Sequence, residues 1–276
     1  MDRSNPLFSN RSVLVTGGTQ GLGRAIGLEF GCLGATTYLT HRWGSADEDE
    51  LRAEFKGRGA REPYIVESDA SDPDATRALL AHVQETTGRL DVIVSNVAFA
   101  KVVGELADLK KNALDLSLSY SAWPLVQLTQ TAYDVFGRYP RYVIAVSSNG
   151  GEICYDGYDL VGVSKAVLET LCRYLAFRLK RHGVRVNAIR PGLLDTASSR
   201  ATFGSEVVDS ATRQMGQIFL APDAVAKTCV ALCSGWMDAV TGQVLVVDEG
   251  WSLVSPLAYL TGHGSLGSFP PEEDER

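Results

Sequence analysis

Seven short runs rich in valine, isoleucine and threonine recur along this 276-residue chain, and all but the last are followed by a longer stretch of helical period. No other feature limits the possible folds so strongly. The runs are residues 12–16, 36–40, 63–67, 91–95, 142–147, 185–190 and 244–247. The helical stretches between them are 22–33, 47–56, 73–87, 109–136, 158–181 and 222–233. Strands that alternate with helices pair in parallel, because each crossover helix returns the chain to the end of the sheet at which the strands start. Little polar alternation appears within the runs, so they read as strands buried on both faces. The expectation is an α/β fold with a doubly wound parallel sheet, built as a single domain over residues 1–260. Residues 192–217 interrupt the rhythm after a strand end and are polar without a strong period, which marks a candidate substrate lid. Residues 261–276 are rich in Gly, Ser, Pro and acid and read as a flexible tail, or one used in subunit contacts.

The first run leads into Gly17-Gly18-Thr19-Gln20-Gly21-Leu22-Gly23 and then a helix. Glycines let a backbone turn tightly against a pyrophosphate, and the following helix start offers unpaired N–H groups and a positive dipole end. Position in the chain gives this otherwise weak pattern its force. The second run ends in Thr40-His41-Arg42 with no acid before Asp47. An acid there would hold the ribose hydroxyls of NAD and repel a 2′-phosphate, whereas Arg42, helped by His41, can pair with that phosphate. The expected cofactor is therefore NADP(H).

These segments resemble the short-chain dehydrogenase/reductase family over roughly residues 9 to 254, which implies a Rossmann fold. Thr16 to Gly23 resembles its Thr-Gly-x3-Gly-x-Gly motif, and Ser95-Asn96-Val97-Ala98 its Asn-Asn-Ala-Gly segment with two departures. Pro191-Gly192 followed by Thr196 resembles the family's Pro-Gly-x3-Thr, and Val247-Asp248-Glu249-Gly250 its C-terminal Val-Asp-Gly-Gly. The resemblance implies cofactor contacts at Gly17, Thr19, Gln20, Gly21, Leu22 and Gly23. It implies others at Asp69 on the adenine, at Ala70, Asn96, Pro191 and Gly192, and at Thr196 on the nicotinamide amide.

The catalytic segment departs from the family pattern. Thirteen residues after Ser148, where a tyrosine belongs, stands Val161, and Lys165 follows four later. Valine has no proton to give. Tyr158 lies three residues earlier, giving Tyr-x6-Lys. Seven residues are about two helical turns, so a helical Tyr158 shares a face with Lys165, its hydroxyl displaced by about 4.5 Å towards the helix N-terminus. Reduction of a 2-enoyl thioester collects charge on an oxygen three bonds from the carbon that takes hydride, against one bond in a ketone. A displaced donor suits the former. The spacing resembles the enoyl-acyl-carrier-protein reductase branch, which implies that Tyr158 donates to the enolate oxygen. Lys165 would hold the nicotinamide ribose and favour ionisation of the phenol.

Ser119, in Ser119-Tyr120-Ser121, aligns with the Asn of the ketone-reductase proton relay. Two roles are open to Ser148, binding substrate or capping the strand end, and Tyr155 is a competing phenol that would line the acyl pocket. The leading expectation is an NADPH-dependent reductase of enoyl thioesters carried on acyl carrier protein or coenzyme A. Two alternatives stay open: a reductase of another C=C, C=O or C=N bond, and a catalytically silent NADP-binding protein.

A net charge of −7 argues against nucleic-acid and anionic-membrane partners. Four scattered histidines and five cysteines without a Cys-x-x-Cys pair argue against a metal centre. Cys229 and Cys233, four apart in an apolar run, read as buried thiols. The first twelve residues lack an apolar signal core and no apolar run would span a membrane, so a cytoplasmic setting is expected. The family resemblance implies a homodimer or homotetramer formed through the helices at 109–136 and 158–181.

Overall fold

The computed structural model describes residues 7–42, 47–215 and 218–254. The expected tail at 261–276 and the last two residues of the expected lid lie outside them. The seven strands are β1 (Ser12–Val15), β2 (Thr36–His41), β3 (Tyr64–Glu67), β4 (Val92–Ser95), β5 (Tyr142–Val146), β6 (Arg185–Pro191) and β7 (Val244–Val247). They form one parallel sheet in the order β3-β2-β1-β4-β5-β6-β7. This is the doubly wound Rossmann arrangement, and its strand order reverses between β1 and β4, where a crevice opens at the strand ends.

Helices α1 (Gly21–Cys32), α2 (Glu48–Gly57) and α9 (Pro222–Cys233) cover one face. Their Ile26, Phe30, Phe55, Val225 and Cys229 meet Val13, Val15, Val92, Val94 and Ile144. On the other face lie α3 (Pro73–Thr87), α5 (Trp123–Phe136) and α6 (Asp159–Leu179). There Leu79, Leu80, Leu128 and Leu168 meet Leu14, Ile93, Val143 and Ala145. Strand residues one apart thus face opposite layers, which is why the inner runs are apolar without alternation. The edge strands differ: Tyr64 on β3 and Val246 on β7 are exposed, because an edge has a neighbour on one side only. Cys229 and Cys233 are buried free thiols.

Two expected elements are redrawn. The single helix expected at 109–136 is two, α4 (Lys111–Ser121) and α5, separated at Ala122. Pro124, in the first turn of α5, has no N–H to continue the helix and is suited to starting one. The expected lid is itself helical, as α7 (Ala197–Phe203) and α8 (Ser205–Met215). Thr196 and Ser199 close a capping box on α7, and Arg200 ties the two helices together by pairing with Asp195 at 2.6 Å and Asp209 at 2.9 Å. Side-chain capping, ion pairs and one face of α8 that buries Val208 order this segment, and its two helices are too short and too polar for a period to stand out.

Candidate active site

A cleft of about 520 Å³ opens at the C-terminal ends of the strands. Every sequence-predicted site residue lines it except Asp69. Helices α2 and α3 are capped by the side chains of Asp47 and Asp72. By contrast, α1 begins at the cleft with no side-chain cap and no acid in its first turn. Its terminal N–H groups and positive dipole end are left to an anion. The loop is tightly folded to present them. Asn96 Nδ2 donates to the carbonyls of Thr16 and Gly17 at 3.0 and 3.1 Å, pinning the loop from β4. A Cβ on Gly23 would lie 2.2 Å from the Gly17 carbonyl oxygen and 2.6 Å from Asn96 Nδ2. Gly23→Ala must therefore push the loop apart. Its dinucleotide Kd, read by fluorescence titration, is expected to rise at least about 100-fold (about 2.7 kcal/mol); a change under threefold would contradict this account of the loop.

At the far end of the cleft, His41 is buried and its Nδ1 has no hydrogen-bond partner. Arg42 pairs with Asp69 at 2.8 Å, and its guanidinium lies 5.0 Å from the ring centroid of Tyr120, whose hydroxyl it also contacts. The open helix end, the glycine loop and this basic corner fit a nicotinamide dinucleotide: pyrophosphate on the first, adenosine on the last. Asp69 does not meet the cleft as expected of an adenine contact. Its carboxylate is turned to Arg42, Tyr120 and Ser71.

At the opposite end, Lys165 is buried on α6 and donates to the carbonyl of Val146 at 2.8 Å. Burial pulls its ammonium down to about 8, against the opposing charge of Glu169 one turn on. Glu169 is buried too, accepting from Ser147 at 2.7 Å and held two-pronged by Arg190 at 3.0 and 2.8 Å. A buried carboxylate is tolerated only when paired and hydrogen-bonded in this way.

Tyr158 is the N-cap of α6 rather than a helical residue, with φ −94° and ψ 8°. The left-handed Gly157 delivers the chain to the helix from outside its axis. The ring lies across Gly150, where a Cβ would sit 2.3 Å from its edge, so this glycine is required for the tyrosine to reach the cleft. The hydroxyl donates to Ser148 Oγ at 3.4 Å. Burial pushes the phenol above its ordinary value and the Ser148 hydrogen bond opposes this. The phenol is thus held protonated, and the ammonium of Lys165, expected to favour its ionisation, is directed at the Val146 carbonyl. Of the two roles open to Ser148 the structure shows the cap, its Oγ accepting from Gly150 N–H at 3.2 Å at the end of β5; the same Oγ accepts from Tyr158 in the cleft.

Val161 is buried on α6 and offers the cleft nothing. Ser119 is exposed and bonds the carbonyl of Asp115 in its own helix, so it takes no part in a relay. Tyr155 accepts from Asn149 at 2.7 Å. Its ring and that of Tyr158 each lie about 6 Å from Phe203 of α7. Sequence reasoning missed Phe203, Asn149 and Tyr120, because spacing along one element carries no sign of side chains supplied by another.

Fold and site together define a nicotinamide-dependent oxidoreductase. The family model described as enoyl-(acyl carrier protein) reductase matches residues 17–252, and the chain belongs to this branch of the short-chain dehydrogenase/reductase family. It is 30% identical over 266 residues to the 1-cyclohexenylcarbonyl-CoA reductase of Streptomyces collinus, covering 94% of this chain and 92% of that one. It is 29% identical to the enoyl-(acyl-carrier-protein) reductase (NADH) FabI of Aquifex aeolicus (strain VF5), over 80% of this chain and 81% of that one. The crystal structure of the enoyl-(acyl-carrier-protein) reductase (NADH) from Aquifex aeolicus VF5 superposes with a TM-score of 0.78 at 27% identity, over 90% and 99% of the two chains. A short-chain dehydrogenase from Burkholderia cenocepacia J2315 in complex with NADP gives 0.76 at 25% identity, over 88% and 98%. The chain is an NAD(P)H-dependent reductase of enoyl-reductase type. Among the described residues no helix is long and apolar enough to cross a membrane.

Proposed function

We propose that the protein reduces the C=C bond of an enoyl thioester with NADPH, the acyl group being carried on coenzyme A or acyl carrier protein. One observation carries this reading. The phenol that faces Ser148 in the cleft belongs to Tyr158, seven residues before Lys165, while the position four before it holds a buried valine. A bound nicotinamide supplies hydride, here to the β-carbon. Tyr158 donates a hydrogen bond to the thioester oxygen as enolate charge develops there, Lys165 holds the nicotinamide ribose, and the α-carbon takes a proton from solvent. A neutral, buried phenol suits this role, since its task is to donate to an oxyanion in a water-poor site. The relatives that act on acyl-carrier-protein and coenzyme A thioesters support the substrate class.

Following NADPH and NADH consumption with a crotonyl thioester, a ketone and an imine tests the proposal. Preferential turnover of the thioester is expected. Preference for the ketone or imine would establish the second reading, and inactivity on all three with tight cofactor binding would establish a silent dinucleotide-binding protein. Arg42 supports NADPH. Arg42→Asp, which replaces a phosphate partner with a repelling charge, is expected to weaken NADPH at least tenfold more than NADH; equal losses in Kd would remove Arg42 from cofactor choice. Exposed Leu116, Trp123, Val163, Tyr174 and Phe177 on α4, α5 and α6 support assembly as a homodimer or homotetramer through these helices, which light scattering reads directly.

A further inference from the structure

The residues around Arg42 do more than present a cation to the adenosine end of the cleft. Asp69 Oδ1 accepts from the N–H of Ser71 at 2.9 Å and from its hydroxyl at 2.7 Å. Asp69 Oδ2 meets Arg42 at 2.8 Å and accepts from the Tyr120 hydroxyl at 3.2 Å. A carboxylate has about four acceptor sites, so these four contacts fill it. An adenine amine would have to displace one of them. Tyr120 is steadied in turn by the ring of Phe99, at 5.8 Å, and it supports the guanidinium with both its face and its hydroxyl. Three elements, the ends of β2 and β3 and the last turn of α4, thus converge on one guanidinium at the mouth of the cofactor cleft.

The electrostatic consequence follows from the charges. A 2′-phosphate brought to Arg42 also comes near Asp69, already in contact with that arginine. The pull of one is partly offset by the repulsion of the other, and little of it is lost to screening over so short a distance. A cofactor ending in two ribose hydroxyls carries no charge at this point and meets no such conflict.

We infer that Asp69, steadied by Tyr120 and Ser71, is a cofactor-selectivity residue: it orients Arg42 and offsets its charge, so that the chain accepts both NADPH and NADH with only a small preference for the 2′-phosphate. This rests on the assignment of the cleft's adenosine end to Arg42. Calorimetric titration of the full chain with adenosine 2′,5′-bisphosphate and with 5′-AMP isolates that end of the cofactor from catalysis. The wild type is expected to prefer the bisphosphate by no more than about tenfold. Asp69→Asn should raise the ratio of the two Kd values at least tenfold further. Tyr120→Phe, which keeps the ring but removes the hydroxyl bridge, should raise it by about threefold; this variant answers the question if Asp69→Asn fails to fold. A wild-type preference above about 1,000-fold, or a ratio unchanged within twofold in whichever of these variants folds, overturns the inference. If Arg42→Asp abolishes the preference while those variants leave it unchanged, the inference alone fails. If Arg42→Asp leaves the ratio unchanged, or the wild type binds neither nucleotide, the assignment of the adenosine end fails with it.

Discussion

Tyr158→Phe is expected to lower kcat on an enoyl thioester by about 10²-fold or more while leaving cofactor binding and fold intact, because one oxyanion donor is lost and nothing else. The ring, stacked on Phe203 and lying across Gly150, is kept; only the hydroxyl that meets Ser148 is removed. Tyr155→Phe should cost far less, since Tyr155 stands ten residues before Lys165, away from the Tyr-x6-Lys position, and its oxygen is met by the Asn149 amide rather than by Ser148. Val161→Tyr is not expected to create a ketone reductase. Val161 is only 2% exposed, so a phenol there must displace packed neighbours, and overpacking of this kind costs about 1–3 kcal/mol before any chemistry is gained. Full activity of Tyr158→Phe on the true substrate would sink the enoyl-reductase reading.

Lys165→Met is expected to abolish turnover by several orders of magnitude and to weaken the cofactor, yet to make the fold more stable at neutral pH. The ammonium's value falls from an ordinary 10.5 to about 8 in the folded chain. Below about pH 8 the folded state therefore carries a buried charge that the unfolded chain keeps in water. Between about 8 and 10.5 the unfolded chain binds the extra proton, so wild-type stability rises with pH across that window and the penalty is gone above it. Removing the charge lifts a penalty of up to about 3 kcal/mol at pH 7, less what the Val146 carbonyl and Glu169 lose with their neighbour. Urea denaturation at pH 7 and pH 10 reads this directly: the variant's advantage should shrink as the pH rises. A variant less stable than wild type at both pH values would mean that Lys165 is there for packing. Near-normal turnover would mean that the catalytic assignment is misplaced.

The gain on removing a functional group has a structural reason. Lys165, Glu169 and Arg190 are three charged side chains withdrawn from water behind the site, each satisfied by the others' elements: β5 through Val146 and Ser147, β6 through Arg190, α6 through the remaining two. Stability alone favours an apolar replacement at such a place. Lys165, which lines the cleft with Tyr158 and Ser148, accounts for them better.

The strand runs, the glycine loop and the Tyr-x6-Lys spacing were legible in the sequence, because each depends on residues adjacent in the chain or at a fixed helical step. The alternation of elements determined a parallel sheet, and the sheet's inner strands are buried on both faces as the lack of polar alternation required. The Gly17–Gly23 loop marked the end of the cleft at which an open helix start is offered to a pyrophosphate. The Tyr158 and Lys165 spacing singled out two residues that both line the cleft, although Tyr155 and Tyr120 line it too. What the sequence could not hold was every relation set by two elements meeting. Asp69 stood in the sequence as a motif residue alone, and packing brings Arg42 and Tyr120 to its carboxylate from β2 and α4. Ser119 aligns with the relay Asn of ketone reductases, and the turn of α4 faces it outward, which the alignment alone could not tell. Tyr158 was taken as helical, but the left-handed Gly157 makes it the cap, and Gly150, eight residues earlier, leaves the space its ring fills. Local pattern fixes which groups a chain offers and on which element; only the closing of the sheet and its helices decides which of them touch, and through those contacts what charge and what proton each one carries.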